Sequence, residues 1–129
     1  MYVDASALAA ILKNEPERAE MIQALKNARE PITSAVSIFE TALAVAPLSG
    51  SCASANGEVV RFVAAAGIAV VPIDSSHMAE VALARDRYGK GSGHPAQLNL
   101  GDCFSYAVAK SAGVPLLYKG NDFALTDLG

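Results

Sequence analysis

Three acidic side chains stand alone in long stretches that carry no other charged residue. Each is the only Asp, Glu, Lys or Arg of its segment: Asp4 of 1–12, Glu40 of 31–57 and Asp102 of 91–109. Burying an ionised carboxylate is costly unless a partner compensates the charge. No Lys or Arg lies within one helical turn of any of the three in the sequence. These acids are therefore the first candidates for chemistry.

A fourth acid, Asp122, follows the last predicted strand, as Asp4 follows the first. In a parallel sheet the carboxyl ends of the strands meet at one edge, where ligands bind. Four carboxylates gathered there would repel one another and raise their pKa values, unless a cation is bound. Oxygen ligands favour Mg²⁺ or Mn²⁺ over zinc, and such ions activate water in phosphoryl chemistry.

Structural explanations compete with this interpretation for three of the acids. Asp4 could cap a following helix, Asp102 lies near a predicted helix start where the dipole favours an acid, and Asp122 lies in a turn. Glu40 lies in the second turn of a predicted helix among apolar residues, where neither helix capping nor the helix dipole explains an acid. A tertiary salt bridge is the alternative that remains for Glu40.

The elements that must position these acids alternate between short apolar strands and helices. The predicted strands are 2–3, 31–33, 68–72 and 114–118, and the predicted helices are 6–12, 17–29, 35–46, 50–67, 76–88 and 100–111. Ser34 and Asn99 are predicted N-caps, while Pro47 and Gly113 are predicted to end their helices. The predicted core of the fourth helix is Val59, Val60, Phe62 and Val63. This alternation predicts an α/β fold with a parallel sheet.

Composition limits the class of protein. The chain has 129 residues, a net charge of −3, 52% hydrophobic and 18% charged residues, which predicts one folded domain over 1–129. Cys52 and Cys103 form no CxxC pair, which suits a reducing cytoplasm and no structural zinc. No signal peptide or stretch of about 20 apolar residues is visible, so we expect no membrane partner.

Binding of a polyanion would need a local basic patch, because the overall charge is negative. Arg85, Arg87 and Lys90 form the clearest basic cluster, and Lys119 borders Asp122. These four residues are the candidates for contact with nucleic-acid phosphates. For Arg85 and Arg87 the alternative is a favourable interaction with the C-terminus of their helix.

Four passages spread over nearly the whole chain carry a family resemblance: Val3–Leu8, Ile32–Glu40, Leu98–Lys110 and Pro115–Phe123. In these passages the chain resembles the PIN-domain ribonucleases and, among them, the VapC-type toxins of bacterial toxin–antitoxin pairs. The third passage is the most specific. The resemblance implies a three-layer α/β/α fold with a short parallel sheet and an acidic pocket at the carboxyl ends of its strands.

The resemblance also implies an activity. Family members cleave RNA with Mg²⁺ or Mn²⁺, usually form homodimers and are silenced by a VapB-type antitoxin. The positions that match the family's acids are Asp4, Glu40, Asp102 and Asp122, and Ser6 matches a supporting hydroxyl residue. We expect Asp4 and Asp102 to bind the metal most directly, with the other two acids completing the shell.

The chain departs from the family pattern near its C-terminus. Many members carry an acid where this chain has Gly120 or Asn121, so Asn121 is a candidate neutral ligand and Asp127 a candidate for an outer role. These departures leave open a second interpretation, in which the chain is a non-catalytic PIN-like module that binds RNA or an antitoxin. A haloacid-dehalogenase-type site is disfavoured because Ser6 stands where it would need a second Asp.

Overall fold

The computed structural model describes residues 1–129 and contains six α-helices and four strands. The strands are β1 (Tyr2–Val3), β2 (Ile32–Thr33), β3 (Ala69–Val70) and β4 (Leu116–Leu117). The helices are α1 (Ala5–Leu12), α2 (Arg18–Asn27), α3 (Ala35–Ser49), α4 (Cys52–Ala65), α5 (Met78–Tyr88) and α6 (Leu100–Ala112). A single 3₁₀ turn, Ser75–His77, leads into α5.

All neighbouring strands of the sheet are parallel, in the order β3-β2-β1-β4. Tyr2 of β1 pairs with Ile32 on one side and with Leu116 on the other. The first strand of the chain therefore lies in the interior of the sheet, next to the last. Each strand is only two residues long, so the predicted strands 68–72 and 114–118 were too long. Pro72 and Pro115 have no N–H group to extend the pairing.

Side chains from the two faces of the sheet enter two separate cores. Val3 packs with apolar residues of α1, α2, α3 and α4, whereas Tyr2 packs with residues of α5, α6 and the C-terminal segment. The alternation of side chains along a strand sends these two neighbours to opposite faces. The helices thus cover both faces, which confirms the predicted three-layer α/β/α architecture.

The helices α3 and α6 both end at a glycine in the left-handed conformation. Gly113 ends α6 in the left-handed conformation, as predicted. Pro47 does not end α3, which continues to Ser49 and stops at Gly50 with a φ of 91°. A proline in the last turn costs one backbone hydrogen bond, but its ring keeps a φ that suits a helix. The left-handed Gly50 is therefore the residue that ends α3.

Three of the four residues predicted for the core of α4 pack in or against it. Val59 and Val63 are fully buried, and Phe62 is partly buried against the same core. Val60 was wrongly placed in the core, because 46% of its surface is exposed. The helical repeat explains the difference, since residues 59 and 63 share a face and residue 60 lies about 100° further round the helix.

None of the six helices is by itself long and apolar enough to cross a membrane. The helices α3 and α4 reach that length and composition only when they are taken together. The break between them bends the pair by 119°.

Candidate active site

Asp4 follows β1 directly, and protein hydroxyls hold both of its carboxylate oxygens. Oδ2 accepts hydrogen bonds from the Ser6 backbone N–H (2.9 Å) and the Ser6 Oγ (2.7 Å), which makes Asp4 the N-cap of α1. Oδ1 accepts a 2.6 Å hydrogen bond from Ser105 Oγ on α6. Asp4 therefore caps α1, as the structural explanation predicted, but capping does not account for the hydrogen bond from Ser105. Only 3% of Asp4 is exposed, and a cap alone does not require burial.

Ser6 supports this corner of the sheet in a second way. Its Oγ accepts a 3.0 Å hydrogen bond from the Lys119 N–H, just beyond β4. The hydroxyl thus joins the ends of the two neighbouring strands β1 and β4 while it donates to Asp4. This contact keeps the Asp4 carboxylate at the carboxyl edge of the sheet.

Asp102 occupies the third position of α6 and forms a capping box with Asn99. The Asp102 N–H donates to Asn99 Oδ1 (2.9 Å), and the Asn99 N–H donates to Asp102 Oδ2 (3.0 Å). The predicted N-cap Asn99 is confirmed, and the reciprocal bonds are those expected of an acid at this position. Protein hydrogen bonds engage only Oδ2, so Oδ1 has lone pairs for another ligand.

Glu40 reaches the N-terminal turn of α6 across Gly101. A Cβ atom on Gly101 would overlap the Glu40 carboxylate. The absent side chain is therefore what allows Glu40 to approach the turn that carries Asp102. No Lys, Arg or His forms an ion pair with Glu40, so the salt-bridge alternative is wrong.

None of the acids at the site forms an ion pair with a basic side chain. Burial raises the pKa of Glu40 to about 7, with further contributions from the charges of Asp4 and Asp102. Burial also raises the pKa of Asp102 to about 6; the backbone hydrogen bond from Asn99 opposes this, and the charges of Asp4 and Asp122 add to it. Three predicted site acids therefore influence one another at the N-terminus of α6.

The donor set at this position suits a hard divalent cation. Carboxylate oxygens are the ligands that Mg²⁺ and Mn²⁺ prefer. A cation would offset both the burial of these carboxylates, which is the main cause of their raised pKa values, and their mutual repulsion. As the side chains stand, no three His, Cys, Asp or Glu residues come close enough to hold one ion jointly. The residues that an ion would draw together are Asp4, Glu40 and Asp102.

The C-terminal candidate residues Asn121, Asp122 and Asp127 do not all lie in one place. Asp122 and Asn121 are exposed in the turn after β4, and the charge of Asp122 acts on Asp102. Asp127 lies elsewhere, where it accepts hydrogen bonds from Tyr106 (2.6 Å) and Lys110 (3.0 Å). The structure therefore gives Asp127 the role of an anchor for the C-terminal segment.

The turn after β4 places Gly120 in a backbone conformation that favours glycine. Gly120 has a φ of 96°, in the left-handed region where glycine carries no steric penalty. An Asp or Glu there would be strained. The negative charge of this turn is therefore supplied by Asp122.

The four basic residues predicted to contact phosphates do not form one cluster in the structure. Arg85 and Lys90 line one groove beside the N-terminus of α6, and the charge of Lys90 lowers the pKa of Asp102. Arg87 is exposed two residues after Arg85 on α5, where positions i and i+2 do not face each other. Lys119 lies near the acids, but its Nζ pairs with Glu15 (3.0 Å) and Glu17 (3.4 Å).

Two largely apolar grooves flank the N-terminus of α6. One, of about 550 Å³, lies between α3 and α6, and the other, of about 640 Å³, lies between α5 and α6. Leu100 lines both grooves and is 75% exposed. Phe39 and Leu43, about half exposed, line the first groove beside Glu40. The acids therefore lie next to an exposed apolar surface.

Two contributors to the site, Ser105 and Gly101, were not found from the sequence. Ser105 donates to Asp4 although 101 residues separate them, and Gly101 makes room for Glu40. The available signal was their position, since both lie within one helical turn of Asp102 in the most specific passage. Ser34 was predicted as the N-cap of α3 and occupies that position, but its side chain makes no capping bond and contacts Tyr2 instead.

Comparison with known proteins identifies the fold and the family. The family model described as the PIN domain matches residues 1–128. The crystal structure of the Mycobacterium tuberculosis toxin VapC20, which cleaves the sarcin–ricin loop, superposes with a TM-score of 0.79 at 15% identity, covering 99% of this chain and 95% of that one. The chain belongs to the PIN-domain family, as its sequence predicted.

Three curated relatives are more similar in sequence to this chain than the VapC20 structure is. A VapC ribonuclease of Rhizobium meliloti is 41% identical over 99% of both chains, and Ribonuclease VapC of Mycolicibacterium smegmatis is 42% identical over 99% of this chain and 97% of its own. Ribonuclease VapC30 of Mycobacterium tuberculosis is 38% identical over 99% of this chain and 95% of its own. These full-length relatives confirm the predicted resemblance to the VapC group.

Gly101→Ala provides a test of the approach of Glu40. The new methyl group must displace the flexible Glu40 carboxylate, while alanine is the better helix former by roughly 1 kcal/mol. We expect RNA cleavage to fall by about 10–100-fold, with the melting temperature unchanged or higher. The double variant Gly101→Ala/Glu40→Gln should be no less active than Glu40→Gln. Wild-type cleavage by Gly101→Ala would contradict the assignment of Glu40.

Proposed function

We propose that this protein is a metal-dependent endoribonuclease that acts as the toxin of a VapBC-type toxin–antitoxin pair. The observation that carries the proposal is the gathering of Asp4, Glu40 and Asp102 around the N-terminus of α6, where none of them forms an ion pair with a basic side chain. The names of the full-length relatives support the same activity. The substrate is RNA, and the reaction is hydrolysis of a phosphodiester bond.

The hydrogen bonding of each acid suggests its role at the metal. Hydrogen bonds hold the carboxylates of Asp4 and Asp102 in fixed orientations, which suits direct ligands of Mg²⁺ or Mn²⁺. Glu40 and Asp122 complete the shell or orient a water molecule, and Asn121 is available as a neutral oxygen ligand. When bound, the ion lowers the pKa of a water molecule and stabilises charge on the phosphate.

RNA reaches this acidic pocket along a basic edge. Arg85 and Lys90 line the groove between α5 and α6 that continues to Asn99. Their charges would hold backbone phosphates beside the acids. Arg87 and Lys119 contribute less directly, since Arg87 follows Arg85 by two residues and Lys119 is paired with Glu15 and Glu17.

The exposed apolar surface beside the pocket fits protein partners. Phe39, Leu43 and Leu100 are each at least half exposed, and such patches mark interaction sites. We assign this surface to a second copy of the chain in a homodimer and to the cognate VapB-type antitoxin. Val59 and Val63 are buried in the core and are not part of this surface. The proposed location is the cytoplasm, where RNA and the antitoxin are available.

The experiment that tests this function is RNA cleavage by the purified, antitoxin-free protein. Structured and single-stranded RNAs are incubated with Mg²⁺, with Mn²⁺ and with EDTA, and Asp102→Asn is purified alongside to control for contaminating nucleases. We expect cleavage that needs the metal and is lost in the variant. Metal-independent cleavage, or equal cleavage by Asp102→Asn, would overturn the proposal. Antitoxin binding without cleavage of any RNA would identify the non-catalytic module instead.

A further inference from the structure

A chain of four buried hydroxyl groups ends on the Asp4 carboxylate. Ser34 Oγ lies 2.7 Å from the Tyr2 hydroxyl, which lies 2.7 Å from Ser37 Oγ. Ser37 Oγ lies 3.2 Å from Ser105 Oγ, which donates to Asp4 Oδ1 at 2.6 Å. All four hydroxyl residues are completely buried. The ribonuclease reaction described above assigns no role to any of them.

The carboxylate sets the direction of every bond in this chain. An ionised carboxylate only accepts, so Ser105 must use its single proton on Asp4. Ser105 can then only accept from Ser37, Ser37 only from Tyr2, and Tyr2 only from Ser34. Hydrogen bonds aligned in one direction reinforce one another in a low-dielectric interior. The chain therefore has one proton arrangement while Asp4 is ionised.

The same hydroxyls connect the three elements that carry the acids. Ser105 follows Asp102 by three residues on α6, and Ser37 precedes Glu40 by three residues on α3. Residues three apart in a helix lie on the same face. Each helix thus carries an acid toward the pocket and, one turn away, a serine toward Asp4.

We propose that Ser105 is a positioning residue for the acidic site, and that it acts through Asp4. It fixes Oδ1 of Asp4 relative to α6, and through Ser37 it fixes α6 relative to α3. This inference rests on the proposed metal-dependent function. Hydrogen-bond partners that orient metal ligands generally affect metal affinity more strongly than their own distance from the ion suggests.

The test is the Mn²⁺ affinity of the antitoxin-free protein, measured by calorimetric titration. We expect Ser105→Ala to raise the dissociation constant about tenfold or more, and Ser37→Ala, one link further away, to raise it less. Ser105→Thr keeps the Oγ donor and should remain within about threefold of wild type on the same reasoning. The melting temperature of each variant is recorded without metal.

Thr33→Val is the matched control for the loss of a buried hydroxyl. Thr33 is completely buried and donates a 2.8 Å hydrogen bond to the Val3 carbonyl, but it touches no carboxylate. It should lose stability while it keeps the wild-type Mn²⁺ affinity.

The outcomes separate this inference from the function on which it rests. Wild-type Mn²⁺ affinity in both Ser105→Ala and Ser37→Ala, in a protein that cleaves RNA, would overturn the positioning role alone. An equal loss of affinity in Thr33→Val would overturn it too, since general destabilisation would then explain the effect. A wild-type protein that neither binds Mn²⁺ nor cleaves RNA would overturn the ribonuclease proposal and the positioning role together.

Discussion

Asp4→Asn is expected to lower metal-dependent RNA cleavage by at least about 10³-fold, the scale on which loss of a central catalytic group acts. The amide keeps the size of the side chain and can still accept from the Ser6 N–H, because Asn caps helices as well as Asp does. What it loses is the negative charge that attracts the cation and the oxygen that accepts from Ser105 Oγ. The measurement is the single-turnover cleavage rate at saturating Mn²⁺, together with the melting temperature.

The chain contains a matched control for this variant. Asp74 accepts from the Ser76 backbone N–H (2.9 Å) and the Ser76 Oγ (2.5 Å), which repeats the bonding of Asp4 with Ser6. Asp74 is 64% exposed and has no part in the acidic site. Asp74→Asn should therefore cleave RNA at the wild-type rate. If both variants lost activity equally, helix capping rather than metal binding would account for the effect of Asp4.

The metal-free protein is expected to lose stability as the pH rises from about 5 to 8. The folded-state pKa values of Glu40 and Asp102 are about 7 and about 6, above the ordinary carboxyl values. A group whose pKa is raised by folding stabilises the fold when protonated, and that contribution disappears as the pH rises through the folded-state pKa. Because both groups are partly solvated, we expect a loss on the order of 1–3 kcal/mol.

Glu40→Gln should remove part of this pH dependence and be more stable than the wild type at pH 8 without metal. Mn²⁺ should reverse the order, because an ion that binds only the folded state stabilises it. Thermal melts at pH 5 and pH 8, with EDTA and with Mn²⁺, measure both effects. The exposed Glu20 on α2 supplies the control Glu20→Gln, which should follow the wild-type curve. A wild-type melting temperature that is flat between these pH values would argue against the repulsion among the acids.

Asp4, Glu40 and Asp102 are each isolated from other charged residues in the sequence, and the fold brings the three together at the N-terminus of α6. Local pattern alone would not have been enough. The Asp-x-Ser pattern occurs at 4–6 and again at 74–76, with nearly identical hydrogen bonds. Burial and long-range neighbours distinguish the two places, and these depend on the tertiary structure.

The parts of the site that sequence reasoning missed are contacts between distant segments. Gly101 gave no sign that Glu40 would lie above it, and a serine inside an apolar helix resembles many others. Lys119 shows the opposite error, since a lysine beside Asp122 suggested a free cation. The structure instead pairs it with Glu15 and Glu17 from the segment between α1 and α2. Pairing of this kind depends on how helices pack against a sheet edge, which a motif does not encode.

The position of β1 inside the sheet makes the acidic site depend on segments that are synthesised at different times. The strand that precedes Asp4 pairs with β4, which is synthesised more than 100 residues later. A growing chain that ends before α6 has neither Asp102 nor the hydroxyl that holds Asp4 Oδ1. Chains grow at about 5–20 residues per second, so an incomplete chain persists for seconds before its site can assemble. The order of segments along the chain thus delays the assembly of the acidic site until α6 and β4 have been synthesised.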